Sequence, residues 1–366
     1  MPIALGLMSG TSGDGVSAAI VSFKEKSFKL LAYKTYPYSK WVREKIAAGW
    51  NLKTPQISEL NVHLGYLFAE SASKILKQAK LSSKKISVAG SHGQTIYHGP
   101  RDSFPSTFQI GEAAMIAEKI KIPVVSDFRP RDIAAGGEGA PLVPYFDHYF
   151  YGDGKVRAFQ NIGGIANVTI VGRELKKPIA FDTGPGNCFM DLAMQKITQG
   201  KLSYDPSGSW AKRGTIEKSR VNAMMRYSYF QKKPPKSTGR EEFGEAFLKK
   251  YLGRDWVKRP YDTLATLTYF TATSIHESLS RFSPRSLKEV IISGGGAKNL
   301  TLMNHLKKLF SPVRVYSVEK LGIPVQAKEP IAFAFLALRA LRGQINHLPS
   351  ATGARCACVL GKITYP

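Results

Sequence analysis

The chain has 366 residues, 43% of them hydrophobic, a formal net charge of +25 and 3 cysteines; it can bury a large core and is expected to divide into two domains or lobes. Cys188, Cys356 and Cys358 are too few for a disulfide scaffold, and Cys356-Ala357-Cys358 lacks the second pair of a zinc site, so a reducing cytoplasm fits best. No basic segment precedes the short apolar run after Met1, so no signal peptide is expected, and the apolar stretch 331–338 stops at Arg339, short of the ~20 residues of a membrane-spanning helix.

Strand-like and helix-like segments alternate, which predicts an α/β protein. Residues 3–7 and 16–23 predict two strands joined by Met8-Ser9-Gly10-Thr11-Ser12-Gly13-Asp14-Gly15. Residues 156–160 and 168–171 predict a second hairpin around Asn161-Ile162-Gly163-Gly164-Ile165-Ala166-Asn167. Small residues in such turns let backbone N–H groups point at phosphate oxygens as an anion nest. The spacing fits neither the Walker A pattern nor the dinucleotide fingerprint, and each turn alone also reads as an ordinary hairpin.

Residues 179–181 predict the end of a buried strand, broken by Asp182-Thr183-Gly184-Pro185-Gly186, with a helix over 187–199. Asp182 is therefore expected at the carboxyl end of a strand, where open α/β sheets place their ligand clefts; the alternative is an Asp that only caps a turn. Residues 290–293 predict a strand, Gly294-Gly295-Gly296 a turn, and 299–310 a helix with an apolar face at Leu302, Leu306 and Phe310. Pro330 is expected at the first position of a helix over 331–342, with Glu329 just before it. Three Gly-rich turns in this order suggest two lobes gripping a nucleotide.

Several long motifs resemble the anhydro-N-acetylmuramic acid kinases, nearly from end to end. They are Gly6-Leu7-Met8-Ser9-Gly10-Thr11-Ser12, Gly90-Ser91-His92-Gly93-Gln94-Thr95, Gln109-Ile110-Gly111 and Asp127-Phe128-Arg129, followed by Arg131-Asp132-Ile133-Ala134-Ala135-Gly136-Gly137 and Gly139-Ala140-Pro141-Leu142-Val143-Pro144. Next come 161–167, 181–187, Pro234-Pro235-Lys236-Ser237-Thr238-Gly239-Arg240 and 294–297. The resemblance implies a two-lobed actin-like ATPase (sugar kinase) fold with a ligand cleft between lobes. Expected boundaries are 1–135 for the first lobe and 136–366 for the second, with a hinge over 134–139; whether the segment after Gly343 returns to the first lobe is open.

The resemblance further implies ATP and Mg²⁺ as cofactors, a small-molecule sugar as substrate, and a homodimer. In this family the 1,6-anhydro bridge of the sugar is opened by water while O6 takes the γ-phosphoryl group, and Asp182 matches the general base. Residues Gly10, Thr11, Ser12, Gly13, Asp14, Gly15, Val16 and Ser17 match the first phosphate loop, and Gly163, Gly164, Gly294, Gly295 and Gly296 would complete the nucleotide site. Arg131 and Arg129 match substrate-carboxylate ligands, with an ion pair to Asp127 or Asp132 as the alternative; Glu329 and His92 are further substrate candidates. The metal ligands are unknown.

Three residues depart from the family pattern: Gly13 replaces a bulky apolar residue, Ser17 an Asp, and Glu138 a common Gln. A silent sugar sensor and a basic nucleic-acid-binding ATPase are the alternatives to a kinase. The lysines are dispersed, with no run longer than the pairs 84–85, 232–233, 249–250 and 307–308, so no nucleic-acid partner is expected.

Overall fold

A computed structural model describes all residues except Thr11, Ser12 and Arg240, and the side chain of Trp50. The chain forms two compact units, one of residues 1–150 with 326–366 and one of residues 151–325. The boundary therefore falls at 150/151 rather than at 135/136, and the C-terminal segment belongs to the first unit. The expected hinge over 134–139 lies within that unit. Its glycines fold back on the preceding helix, with Gly137 N–H donating to Asp132 O at 2.9 Å and Gly139 N–H to Asp132 Oδ2 at 2.7 Å.

In the first unit, β1 (Ile3–Ser9), β2 (Gly15–Lys24) and β3 (Ser27–Pro37) form an antiparallel meander. The strand β4 (Ile86–Gly99) runs parallel to β1 and carries β5 (Ser106–Ile110) antiparallel at its far end. Beyond it lies β6 (Val124–Ser126), parallel to β4. In the second unit β7 (Arg157–Ile162), β8 (Ile165–Val171) and β9 (Ile179–Pro185) repeat the meander, and β10 (Glu289–Ser293) and β11 (Arg314–Ser317) continue the sheet in parallel from β7. The orders β6-β4-β1-β2-β3 and β11-β10-β7-β8-β9 match strand for strand. The first sheet has one further edge strand, β12 (Lys362–Thr364), antiparallel to β6.

One face of the first sheet packs on the helix Thr54–Gln78, whose buried Leu60, Leu64, Phe68, Ala72 and Ile75 fall at the three- and four-residue spacing of an apolar stripe. Against the sheet also lies the helix Lys328–Leu341, buried at every position from Pro330 to Leu338. A helix apolar all round has to be enclosed. Gly6 and Gly90, paired across β1 and β4, make room for its backbone. A Cβ at Gly6 would sit 1.8 Å from Pro330 O, and one at Gly90 2.3 Å from Phe333 O. The second unit has its own core, from Val168 and Phe181 through Phe189, Phe243, Phe270 and Leu302.

Candidate active site

In the second unit the β7–β8 turn, the corner after β9 and the turn after β10 come together. The β7–β8 turn lies against the corner after β9, with Asn187 N–H donating to Gly163 O at 2.7 Å and Gly186 N–H to Gly164 O at 2.9 Å. The turn after β10 packs on the same hairpin. A Cβ at Gly294 would meet Asn161 Oδ1 at 2.5 Å and Ile162 O at 2.6 Å, and one at Gly296 would meet Ile162 Cγ2 at 2.3 Å. Gly294 also has φ +79°, a left-handed conformation that favours glycine. Gly163, Gly164, Gly294, Gly295 and Gly296 are thus gathered with Asn187 at one end of the sheet, where Asn187 Nδ2 donates to Ile162 O at 3.1 Å and stands 3.4 Å from a Cβ placed on Gly295.

Asp182 is not at the end of its strand. It is the fourth of the seven residues of β9, paired with Asn167 of β8 just after a bulge. As β9 is the edge strand, its outer side is free to take another segment. Residues 236–238 fill that place: Asp182 N–H donates to Lys236 O at 3.0 Å, and Thr238 N–H donates to Asp182 Oδ2 at 3.0 Å. Tyr229 Oη donates to Asp182 O at 2.7 Å. The half-buried carboxylate is thereby oriented by main chain on a fixed strand. Lys236, Thr238 and Tyr229 are site residues that sequence reasoning did not assign; the only signal was the 234–240 motif, which carried no role.

In the first unit the phosphate-loop match is split. Gly13 N–H donates to Gly10 O at 3.0 Å and Gly13 has φ +59°, so glycine suits a left-handed turn here. Asp14 is exposed, and its carbonyl accepts from Tyr38 N–H at 2.9 Å. Thr11 and Ser12 lie outside the described residues. Gly15, Val16 and Ser17 are in β2 rather than in the loop: Val16 is in the core, and Ser17 Oγ is 2.8 Å from Thr35 Oγ1 on β3. The hydroxyl at 17 thus has a partner in the sheet, where an acid would have faced Thr35.

Two of the four substrate candidates, His92 and Arg129, are hydrogen-bonded, and a third, Glu329, lies within electrostatic reach of Arg129. His92 Nδ1 lies 3.0 Å from Gly93 O, which assigns the proton to Nδ1 and leaves Nε2 as an acceptor. Arg129 donates to that nitrogen from Nε at 3.1 Å and from Nη2 at 2.9 Å. Burial and the Arg129 charge push His92 down to about 3, so the imidazole is neutral at neutral pH. Burial also lowers Arg129 to about 10 against the opposing pull of Glu329. Glu329 is exposed by surface area, yet protein crowded around its carboxyl pushes it up, opposed by Arg129 and Lys328. Glu329 stands in the first turn of its helix, which starts at Lys328, two residues earlier than Pro330.

Arg131 is exposed and does not join them. Two residues along the helix Phe128–Ala134 rotate a side chain by about 200°, so Arg131 faces away from Arg129. Neither expected ion pair to an Asp forms at Arg129 or Arg131. Asp127 pairs with Lys362 at 3.1 Å, and the buried Asp132 accepts from His347 Nδ1 at 2.8 Å and Thr352 Oγ1 at 2.7 Å. A cavity of about 330 Å³ adjoins this cluster, lined by Ser91, His92, Gln109, Gly111, Asp127 and Lys362 among others. The Ser91 hydroxyl is buried there with no hydrogen-bond partner among the described residues. No group of three or more His, Cys, Asp or Glu that could hold a metal ion exists among the described residues.

Paired meander-and-parallel sheets with Gly-rich turns define an actin-like ATPase fold of the kind used by sugar kinases. A solved structure, the Acidaminococcus fermentans (R)-2-hydroxyglutaryl-CoA dehydratase component A, agrees in fold with a TM-score of 0.50 at 14% identity, covering 93% of this chain and 98% of that one. The family model for anhydro-N-acetylmuramic acid kinase matches residues 2–366. The anhydro-N-acetylmuramic acid kinase of Caldanaerobacter subterraneus subsp. tengcongensis is 43% identical over 99% of this chain and 96% of its own length. That of Bacillus cereus is 40% identical over 99% and 98%. The chain belongs to the anhydro-N-acetylmuramic acid kinase family.

Proposed function

We propose that the protein is an ATP-dependent kinase that opens 1,6-anhydro-N-acetylmuramic acid with water and phosphorylates O6, giving N-acetylmuramic acid 6-phosphate and ADP. The observation that carries this reading is Asp182, a half-buried carboxylate fixed on an edge strand by Thr238 N–H, on the strand whose far end, through Gly186 and Asn187, meets the gathered glycines of the second unit. Asp182 takes a proton from water, the water oxygen bonds to C1, the bond from C1 to the bridging oxygen breaks, and that oxygen, now O6, accepts the γ-phosphoryl group as ADP leaves. A positioned base of this kind contributes about 10²–10⁴-fold.

In the second unit Gly163, Gly164 and the 294–296 turn are proposed to contact ATP, and in the first unit Gly10 and Gly13 belong to the proposed phosphate loop. The absence of a side chain is what lets main chain approach a phosphate or a ribose closely. Mg²⁺ bound with ATP supplies charge neutralisation at the β- and γ-phosphates. The described residues offer it no cage of three or more ligands, so water and phosphate oxygens would supply most of its shell.

His92, Arg129 and Glu329 form the proposed sugar-binding group of the first unit, with Arg129 offering a guanidinium for the lactyl carboxylate. The unpartnered Ser91 hydroxyl and the cavity beside it support a polar ligand there. Arg131, exposed on the opposite side of its helix, has weaker support. Residence in the cytoplasm and a homodimer are part of the proposal; among the described residues no helix is long and apolar enough to cross a membrane.

The test is to incubate the protein with Mg-ATP and the anhydro sugar and to follow the sugar phosphate by mass spectrometry. A product that depends on both ligands and disappears in Asp182→Asn supports the reading. Binding of both ligands without product would contradict it. Sedimentation of the same preparation decides the homodimer.

A further inference from the structure

Two lysines are deeply buried, and they are handled differently. Lys328 Nζ pairs with Asp147 Oδ2 at 2.9 Å in the first unit. Lys236, 7% exposed in the second unit, has no ion-pair partner among the described residues. Its ammonium donates to Tyr229 O at 3.4 Å and lies 4.6 Å from the Tyr229 ring centroid, 5.5 Å from that of Phe282 and 5.8 Å from that of Phe181. Cation–π contacts of this kind offset part of the cost of burying a charge, though a methionine would fill the same space without that cost.

The place of this ammonium suggests what the charge does. Lys236 O accepts from Asp182 N–H, and Tyr229, which receives the ammonium, donates its own hydroxyl to Asp182 O. Phe181 and Asp182 are successive strand residues and point to opposite faces, so the lysine lies behind the strand from which the carboxylate projects. The charges around it are Asp182 from β9, Arg281 from the helix Pro260–Phe282 and Lys232 from the segment after Tyr229. On its own segment Glu242 is held by Thr238 Oγ1 at 2.6 Å.

We propose that Lys236 is a positioning residue for the reaction: its buried ammonium pins residues 236–238 to the edge of β9 and favours the ionised form of Asp182 from behind the strand. The inference rests on the proposed role of Asp182 and goes beyond it, since a lysine that never touches substrate would set the protonation of the base. Burial, together with Arg281 and Lys232, lowers Lys236 to about 8, so the charge is present at neutral pH and is lost in mild alkali.

The experiment is a carbon NMR titration of the Asp182 carboxyl in the full-length, ligand-free protein, assigned by its disappearance in Asp182→Asn, compared between wild type and Lys236→Met. The Asp182 midpoint should rise by about one pH unit in Lys236→Met. The acid limb of kcat should move with it, giving about a tenfold loss below both limbs with KM for ATP little changed, and Lys236→Arg should restore the limb. A folded Lys236→Met with an unmoved Asp182 midpoint would overturn the proposal. Should that variant fail to fold, the wild type still decides: its Asp182 resonance should show a second inflection near pH 8 as Lys236 loses its proton, and a flat response there would overturn the proposal. Lack of turnover by the wild type would count against the kinase reading alone, because the titration needs no substrate.

Discussion

The two units use the same strand order for opposite purposes. In the first, the sheet is a platform: Gly6 and Gly90 bring the helix Lys328–Leu341 onto β1 and β4, and the exposed Glu329 at its start lies within electrostatic reach of Arg129, which donates to the buried His92. In the second, the sheet itself carries the proposed base. Asp182 sits on β9, the counterpart of β3, and its orientation comes from main-chain contacts with 236–238. A guanidinium held by a neutral imidazole keeps its charge available, which suits recognition of a charged substrate. A carboxylate held by backbone suits chemistry, because main-chain donors reorganise little as charge moves.

The strongest way to break this contrast is at Asp182. Asp182→Asn keeps the shape and removes the proposed base, and kcat should fall about 10³-fold with little change in sugar or ATP affinity, as read by steady-state kinetics and calorimetric binding. A loss of affinity as large as the loss of kcat would place Asp182 with the recognition cluster instead. Thr238→Pro removes the N–H that holds the carboxylate, a bond to a charged group worth about 1.5–3 kcal/mol, so kcat should fall by about one to two orders of magnitude. Thr238→Ala keeps that N–H and should be milder.

In the first unit the effects should fall on stability and affinity. Gly6→Ala would drive a methyl into Pro330 O, and a loss of about 3 kcal/mol is expected in denaturant unfolding, with a raised KM for the sugar because Glu329 moves with the helix. His92 gives a pH signature. Its folded value of about 3 lies below the unfolded 6.5, so the unfolded chain takes up this proton first as pH falls. Its contribution is complete above pH 6.5 and declines as pH falls toward 3, by at most about 1.4 kcal/mol per pH unit. His92→Gln should flatten that part of the stability curve; an unchanged slope would show that the imidazole is not held neutral. The smallest effect expected is that of Gly13→Ala, about 1 kcal/mol from its left-handed φ.

The sequence made the local pieces legible. Apolar runs ending in glycine marked both hairpins and the strand, turn and helix after 289, because each signal is complete within a few residues; at 181–187 the glycines suggested a turn from Asp182, whereas the strand continues to Pro185 because residues 236–238 pair along its outer side. What escaped depends on distant partners. Thr238 reaches Asp182 across 56 positions, and His347 reaches Asp132 across 215, with nothing nearby in the sequence to indicate either. The boundary was misplaced for the same reason: a run of glycines looked like a hinge, whereas Asp132 and the C-terminal segment anchor it, with Glu138 N–H donating to Thr352 O at 2.8 Å. Arg131 stood next to Arg129 in the motif, and only the helix that forms over both separates them.

The most direct test of the central claim, that Asp182 activates water while the bridge oxygen receives phosphate, is turnover in heavy-oxygen water. The account predicts label at C1 of the product, none in the oxygen between C6 and phosphorus, and no labelled product from Asp182→Asn. Label in the phosphate with an unopened sugar would mean simple ATP hydrolysis, and would contradict it.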